Sequence, residues 1–82
     1  MMATINQEKF DVLFKENLIK NLIKNHKEKL IEFGKSQNID FISDLESLSI
    51  ANLNDLYSEL ELTKEYFKIQ VKSGISLQLE NN

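Results

Sequence analysis

The only histidine, His26, stands in the stretch NLIKNLIKNHKEK (residues 17–29), where a four-residue phrase repeats and then breaks near the place of a further aliphatic residue. Histidine is the side-chain type most used for acid–base work, proton sensing and metal binding. A histidine metal site needs further histidines or a Glu-x-x-His pattern, and neither surrounds it. A catalytic role needs a nearby nucleophile and an orienting acid, and the sequence offers no recognisable set. On an apolar helical stripe, His26 reads as a partly buried residue hydrogen-bonded to a neighbouring element. A pH-sensing or partner-contact role is the alternative.

Carboxylates are the next groups able to do chemistry. Asp55 with Glu59, and Glu61 with Glu65, sit at one-turn spacing. Such pairs perform acid–base work when buried or metal-bound. Here Ser58, Thr63 and Lys64 flank them, which points them into water, with an acidic stripe that meets a basic partner as the functional alternative. The tripeptide Gly34-Lys35-Ser36 has the ending of a phosphate-binding loop. Lys29, however, occupies the place of the required glycine, and a helix precedes where a strand should, so GKS reads as a helix stop and polar turn. Lys20, Lys24 and Lys27 share one face beside the aliphatic stripe, but the i,i+4 pairs Glu16–Lys20 and Lys24–Glu28 neutralise part of that field. This weakens a membrane-surface or nucleic-acid reading.

Composition narrows the possibilities. A chain of 82 residues allows one small domain, since such chains bury only roughly 60–65% of their unfolded surface. Cysteine is absent and no metal-type cluster appears, so the usual staples of small folds are missing and helix packing across a homodimer becomes the natural remedy. Absent cysteine fits a reducing cytoplasm, and the N-terminal MMATINQEKF has no apolar run of signal type. We therefore expect a soluble, unexported protein without cofactor, metal or direct membrane insertion. The net charge is −3 and all ten positive charges are lysines. The missing arginine removes the side chain that most often reads guanine and clamps phosphate, so nucleic acid is not the expected partner. Abundant lysine, asparagine, isoleucine and leucine, with no proline, tryptophan, cysteine or arginine, is the usage of AT-rich codons and points to a low-GC bacterium or its phage. Residues 15–29 hold five lysines against Glu16 and Glu28, whereas residues 40–65 hold seven acids against Lys64. The two halves can attract each other or face different partners.

The elements that carry these residues read as helices. Ile5 through Phe10 forms a helix start, with Asn6 as cap and Ile5 stapled onto Phe10, and Thr4 with Gln7 as a competing capping box. No proline or glycine intervenes before Gly34, which suits a helix end. The spacing predicts one helix over residues 6–33 with Ile19, Ile23, His26, Leu30 and Phe33 along its buried face, widened by Phe14, Leu18 and Leu22. A short helix follows over about 40–47, capped by Asp40 or Ser43, and a second long one over 49–73, with Ser49 as cap and Gly74 as stop. Tyr57 continues the inner face of that helix. Tyr66 and Phe67 point to adjacent sides, so one of them is left as a protein contact. Residues 75–82 alternate apolar and polar, and form a docked extended segment, a short strand or a frayed tail outside a domain of residues 1–74. The expected architecture is all-α: two long antiparallel helices bridged by a short one. We expect these to dimerise into a bundle through Ile19, Ile23, Leu30, Leu53, Leu60 and Phe67. His26, Asp55, Glu59, Tyr66 and Phe67 are the candidate partner contacts.

The whole chain, and particularly NQEKFDVLFKENLIKNLIKNHKEKL followed by DFISDLESLSIANLNDLYSELELTKEYFK, resembles the small lysis-inhibition accessory proteins of T4-type bacteriophages, the rapid-lysis cytoplasmic antiholin family. The resemblance rests on size, residue usage and the general run of these segments. It implies a non-enzymatic protein of the host cytoplasm that binds the cytoplasmic part of the phage holin and so delays lysis. Two further classes stay open: an acidic helical inhibitor of a host nucleic-acid enzyme or defence protein, and a small dimeric DNA-binding regulator.

Overall fold

A computed structural model of the chain describes residues 7–80, and these are entirely helix, turn and short connection. Five α-helices follow in order: α1 (Gln7–Asn25), α2 (Lys27–Gln37), α3 (Phe41–Asp44), α4 (Ile50–Glu59) and α5 (Thr63–Glu80), with a 3-10 turn at Leu45–Ser47. The molecule measures 50 × 22 × 18 Å. Helix α5 runs back along α1, from Asn21 beside Glu65 to Phe10 beside Gly74, so the antiparallel expectation holds for this pair. The expected cap residues Thr4, Ile5 and Asn6 lie outside the described residues.

Each of the two expected long helices is divided. The first breaks at His26, whose backbone leaves the helical region at φ −135° and ψ 27°. The hydrogen-bond ladder survives around the break, with His26 N donating to Leu22 O at 3.0 Å and Leu30 N to His26 O at 2.9 Å. No proline or glycine marks the site. The His26 ring instead bonds across to α5, a tertiary contact that overrides local propensity. The second helix breaks at Leu60–Leu62, where Glu61 takes a left-handed φ of 60°. There Leu62 N donates to Tyr57 O at 2.8 Å and Glu61 N to Ser58 O at 3.0 Å, which is the Schellman pattern with glutamate where glycine is usual. The buried side chains of Leu60 and Leu62 supply the contacts that hold this turn.

Neither glycine stops a helix. Helix α2 continues through Gly34 to Gln37, and the left-handed residue is Asn38 at φ 59°. Ile39 N donates to Gly34 O at 2.8 Å and Asn38 N to Lys35 O at 3.2 Å, a second Schellman turn. The returning chain passes so close that a Cβ on Gly34 would lie 2.5 Å from the Ile39 carbonyl oxygen. Gly74 lies inside α5, which carries the supposed tail on as helix to Glu80, so the extended reading of residues 75–80 is corrected. Burial of Leu77 explains why: the helical period places it on the inner face with Tyr66 and Ser73. The short middle helix is shorter than expected, with Asp40 as its cap: Ser43 N donates to Asp40 Oδ1 at 3.3 Å and Ser43 Oγ to Oδ2 at 2.8 Å. Ser49 Oγ caps α4 as expected, accepting from Asn52 N at 3.1 Å.

The core gathers Phe14, Leu18, Leu22, Leu30, Leu45, Leu53, Leu56, Tyr57, Leu60, Leu62 and Tyr66. Within each Leu-Ile pair of α1 the leucine faces inward, while Ile19 is half-buried and Ile23 exposed. The inner stripe is therefore the leucine side of the expected broad face, which keeps Leu30 and Phe33 and turns Ile23 outward. Leu30, Leu53 and Leu60 are spent inside the single chain and offer no side-chain surface to a second copy. Of the expected dimer residues, Ile19, Ile23 and Phe67 remain accessible.

The two glycines should respond in opposite directions. Gly34→Ala should lower stability by about 1–3 kcal/mol, because the added methyl meets backbone. Gly74→Ala should raise stability by about 0.5–1 kcal/mol, since its Cβ meets nothing nearer than the Phe10 ring at 3.9 Å and alanine is the better helix former. Urea unfolding followed by circular dichroism measures both; a Gly34→Ala variant as stable as the parent would contradict the close approach at Ile39.

Candidate functional site

Two features of α1 stand out, on opposite sides of the helix. The first is a polar seam against α5. Asn17, Asn21 and Asn25 recur every fourth residue because the phrase NLIK repeats, and that spacing sets them on one face. Asn17 Nδ2 donates to Ser73 Oγ at 3.0 Å, and Asn21 Nδ2 to Glu65 Oε1 at 3.0 Å and to the Tyr57 hydroxyl at 3.2 Å. Asn25 Nδ2 donates to Asn21 Oδ1 at 2.8 Å and orients it. The Tyr57 hydroxyl in turn donates to Leu18 O at 2.6 Å. No buried side-chain nitrogen or oxygen among the described residues lacks a partner, as a polar seam at a helix contact requires.

His26 closes the seam. Its Nε2 lies 2.8 Å from Glu65 Oε1, and because a carboxylate only accepts, that nitrogen carries the hydrogen. The bond from His26 holds the Glu65 carboxyl below its usual value of 4.5, opposed by partial burial and helped by Asn21 and the charges of His26 and Lys29. Burial pushes the Tyr57 hydroxyl up to about 12, with the Glu65 charge adding to it and the Asn21 bond working against it. Tyr57 therefore stays protonated and serves as a donor. The seam has no nucleophile beside its histidine, and among the described residues no group of three His, Cys, Asp or Glu is placed to hold a metal ion.

The second feature is a groove of about 780 Å³ on the other side of α1. Val12, Ile19 and Ile23 form its apolar floor, lysines and Glu16 stand along its rim, and Glu46 from the 3-10 turn closes one wall. Lys15 Nζ reaches across to Glu46 O at 2.6 Å and ties that wall to α1. Lys20 and Glu16 pair at 3.0 Å in the open, which contributes little to stability.

The residues singled out from sequence are scattered across these surfaces. Asp55 and Glu59 are exposed on the outer side of α4, away from the seam. Glu61 and Glu65 do not form a one-turn pair on one helix: Glu61 sits in the left-handed turn, and Glu65 turns inward to His26. Tyr66 is buried, its ring edge-on to Phe14 and to Tyr57 at centroid distances of 5.1 and 5.8 Å, and it presents little surface to a partner. Phe67 is exposed. The asparagines were missed by sequence reasoning, although the four-residue period of NLIK is itself the signal that they share a helix face.

The seam's acid sensitivity follows from Glu65. A folded-state value below the unfolded one gives stability that is present above about pH 4.5 and lost as pH falls through the folded value. Glu65→Gln should therefore be less stable than the parent above pH 4.5, with the difference closing in acid. Urea midpoints across pH test this, and a difference independent of pH would remove the ionic contribution. Asn21→Ala, which deletes two cross-helix bonds, should cost about 1–2 kcal/mol at neutral pH.

Compared with known proteins, the chain matches no family model, no curated protein and no solved structure.

Proposed function

We propose that the chain is a non-enzymatic phage protein of the host cytoplasm that delays lysis by binding the cytoplasmic part of the holin, with the α1 groove as the binding site. The observation that carries a binding role is the groove itself: an apolar floor of Val12, Ile19 and Ile23 within a charged rim, on a helix whose other side is fixed by the seam. Such a floor suits the apolar face of an amphipathic segment laid along it. The choice of a holin segment as occupant comes from the sequence resemblance. In this reading the mixed rim, Lys15, Lys20 and Lys24 with Glu16 and Glu46, sets the orientation of a segment that carries both signs of charge, and the isoleucines govern how long it stays.

A second copy is the competing occupant. Two α1 helices packed antiparallel about a two-fold axis near Leu18 would bring Glu16 of each towards Lys20 of the other and Val12 towards Ile23, a surface complementary to itself. Asp55 and Glu59 on α4 support the alternative of an acidic inhibitor less well, because α4 has no exposed large apolar residue to anchor a partner.

Ile23→Glu discriminates among these. Ile23 is exposed, so the variant should keep its helix content and lose capture of the holin's cytoplasmic segment by at least about tenfold, as expected when a charge replaces an apolar anchor. Infections carrying it should lyse early, as should a deletion. Normal lysis timing in the deletion would defeat the antiholin reading. A dimer in light scattering that Ile23→Glu dissolves, with lysis timing unchanged, would assign the groove to self-association.

A further inference from the structure

The outer face of α5 is a separate surface that neither the core nor the groove uses. Phe67, Val71, Ile75 and Leu79 recur every fourth residue and are 54%, 61%, 51% and 69% exposed. Tyr66, Ser73 and Leu77 lie on the opposite side of the same helix and are buried. These four side chains project from the outer side of the helix. At 100° per residue, Lys64, Lys68 and Lys72 fall within or just beside the sector of the apolar four, and all three are exposed. Between Thr63 and Leu79 the helix carries one acid, Glu65, which is turned to the seam by Asn21 and His26. The outer face therefore combines four projecting apolar side chains with three cations and no carboxylate.

We propose that this face docks on an anionic bilayer surface, with α5 lying in the membrane plane. Phe67, Val71, Ile75 and Leu79 enter the boundary between headgroups and acyl chains, and the ammonium groups of Lys64, Lys68 and Lys72 sit at the lipid phosphates. Long lysine stems make that arrangement possible, since they lie along apolar surface while the charged end reaches the headgroup level. Two observations select this occupant. The charge is of one sign, so pairing the face with a second copy would bring six lysines together without a single acid. The side chains project from a rod spanning about 18 Å between Phe67 and Leu79, a shape that a planar interface accepts along its whole length. This is attachment and not spanning, because among the described residues no helix is long and apolar enough to cross a membrane. It is independent of what fills the groove. Because Ile19 and Ile23 lie across α1 from the asparagines that face α5, a docked chain keeps its groove turned away from the lipid.

The test is sedimentation of the full chain with phosphatidylcholine vesicles, alone or containing about one third phosphatidylglycerol. Binding is expected only to the anionic vesicles and should fall as salt rises. At about fivefold per lysine, the triple variant Lys64→Gln, Lys68→Gln, Lys72→Gln should bind on the order of 100-fold more weakly. Phe67→Ser with Leu79→Ser should also lose binding at unchanged helix content, and a Phe67→Trp reporter should shift its emission to the blue on anionic vesicles. No binding at low salt, or equal binding by the triple lysine variant, would overturn the proposal. So would capture of the face by an acidic helical peptide while vesicles fail to bind, or a dimer dissolved by Val71→Lys; these outcomes assign the face to a protein or to a second copy.

Discussion

Helix α5 is held against α1 by hydrogen bonds as well as by apolar packing, and the remaining elements take their places from that contact. Asn17 reaches Ser73, and Asn21 reaches both Glu65 and Tyr57. Tyr57 belongs to α4, so the same bonds fix the angle at which α4 enters, and Tyr57 is locked again by its bond to Leu18 O. His26, at the junction of α1 and α2, joins through Glu65. One carboxylate oxygen therefore links α1, the start of α2 and α5. Because such polar groups are costly to leave unpaired even when partly buried, the arrangement is most stable when all of them meet.

This contact also divides the labour of the surface. With the asparagine side of α1 committed to α5 and the leucine side to the core, the isoleucine side is left to form a groove. With Glu65 drawn inward, the outer face of α5 is left to apolar residues and lysine. The surfaces proposed for partners are thus remainders of the packing, and their positions could not be chosen independently of it.

The sequence made the helical class legible, along with Ser49 as a cap, Asp40 as one of two cap candidates, and most of the leucine core. These rest on local chemistry or on a period that any helix must obey. The breaks at His26 and Glu61 were not legible, since neither is a residue that stops helices and both depend on contacts from elsewhere in the chain. Gly34 and Gly74 misled for a related reason: glycine marks a place without a side chain, and here one place serves a close chain crossing and the other simply a helix interior. At the candidate sites, Phe67 could be told from Tyr66 only once the break at Leu60–Leu62 had reset the phase of α5 against the core.

The asparagine repeat bears on how this small protein avoids folding wrongly. A helix written NLIKNLIK can slide by one turn past a greasy neighbour and still set leucine on leucine, so apolar packing alone would leave several alignments close in energy. Helix α5 does not share the four-residue phrase. Moved by a turn, Asn17 would face Ile69 or Leu77 in place of Ser73, and Asn21 would face Glu61 or Ile69 in place of Glu65. The polar groups thus act as a vernier, whose two scales coincide at one register and leave half-buried amides against apolar side chains at the others.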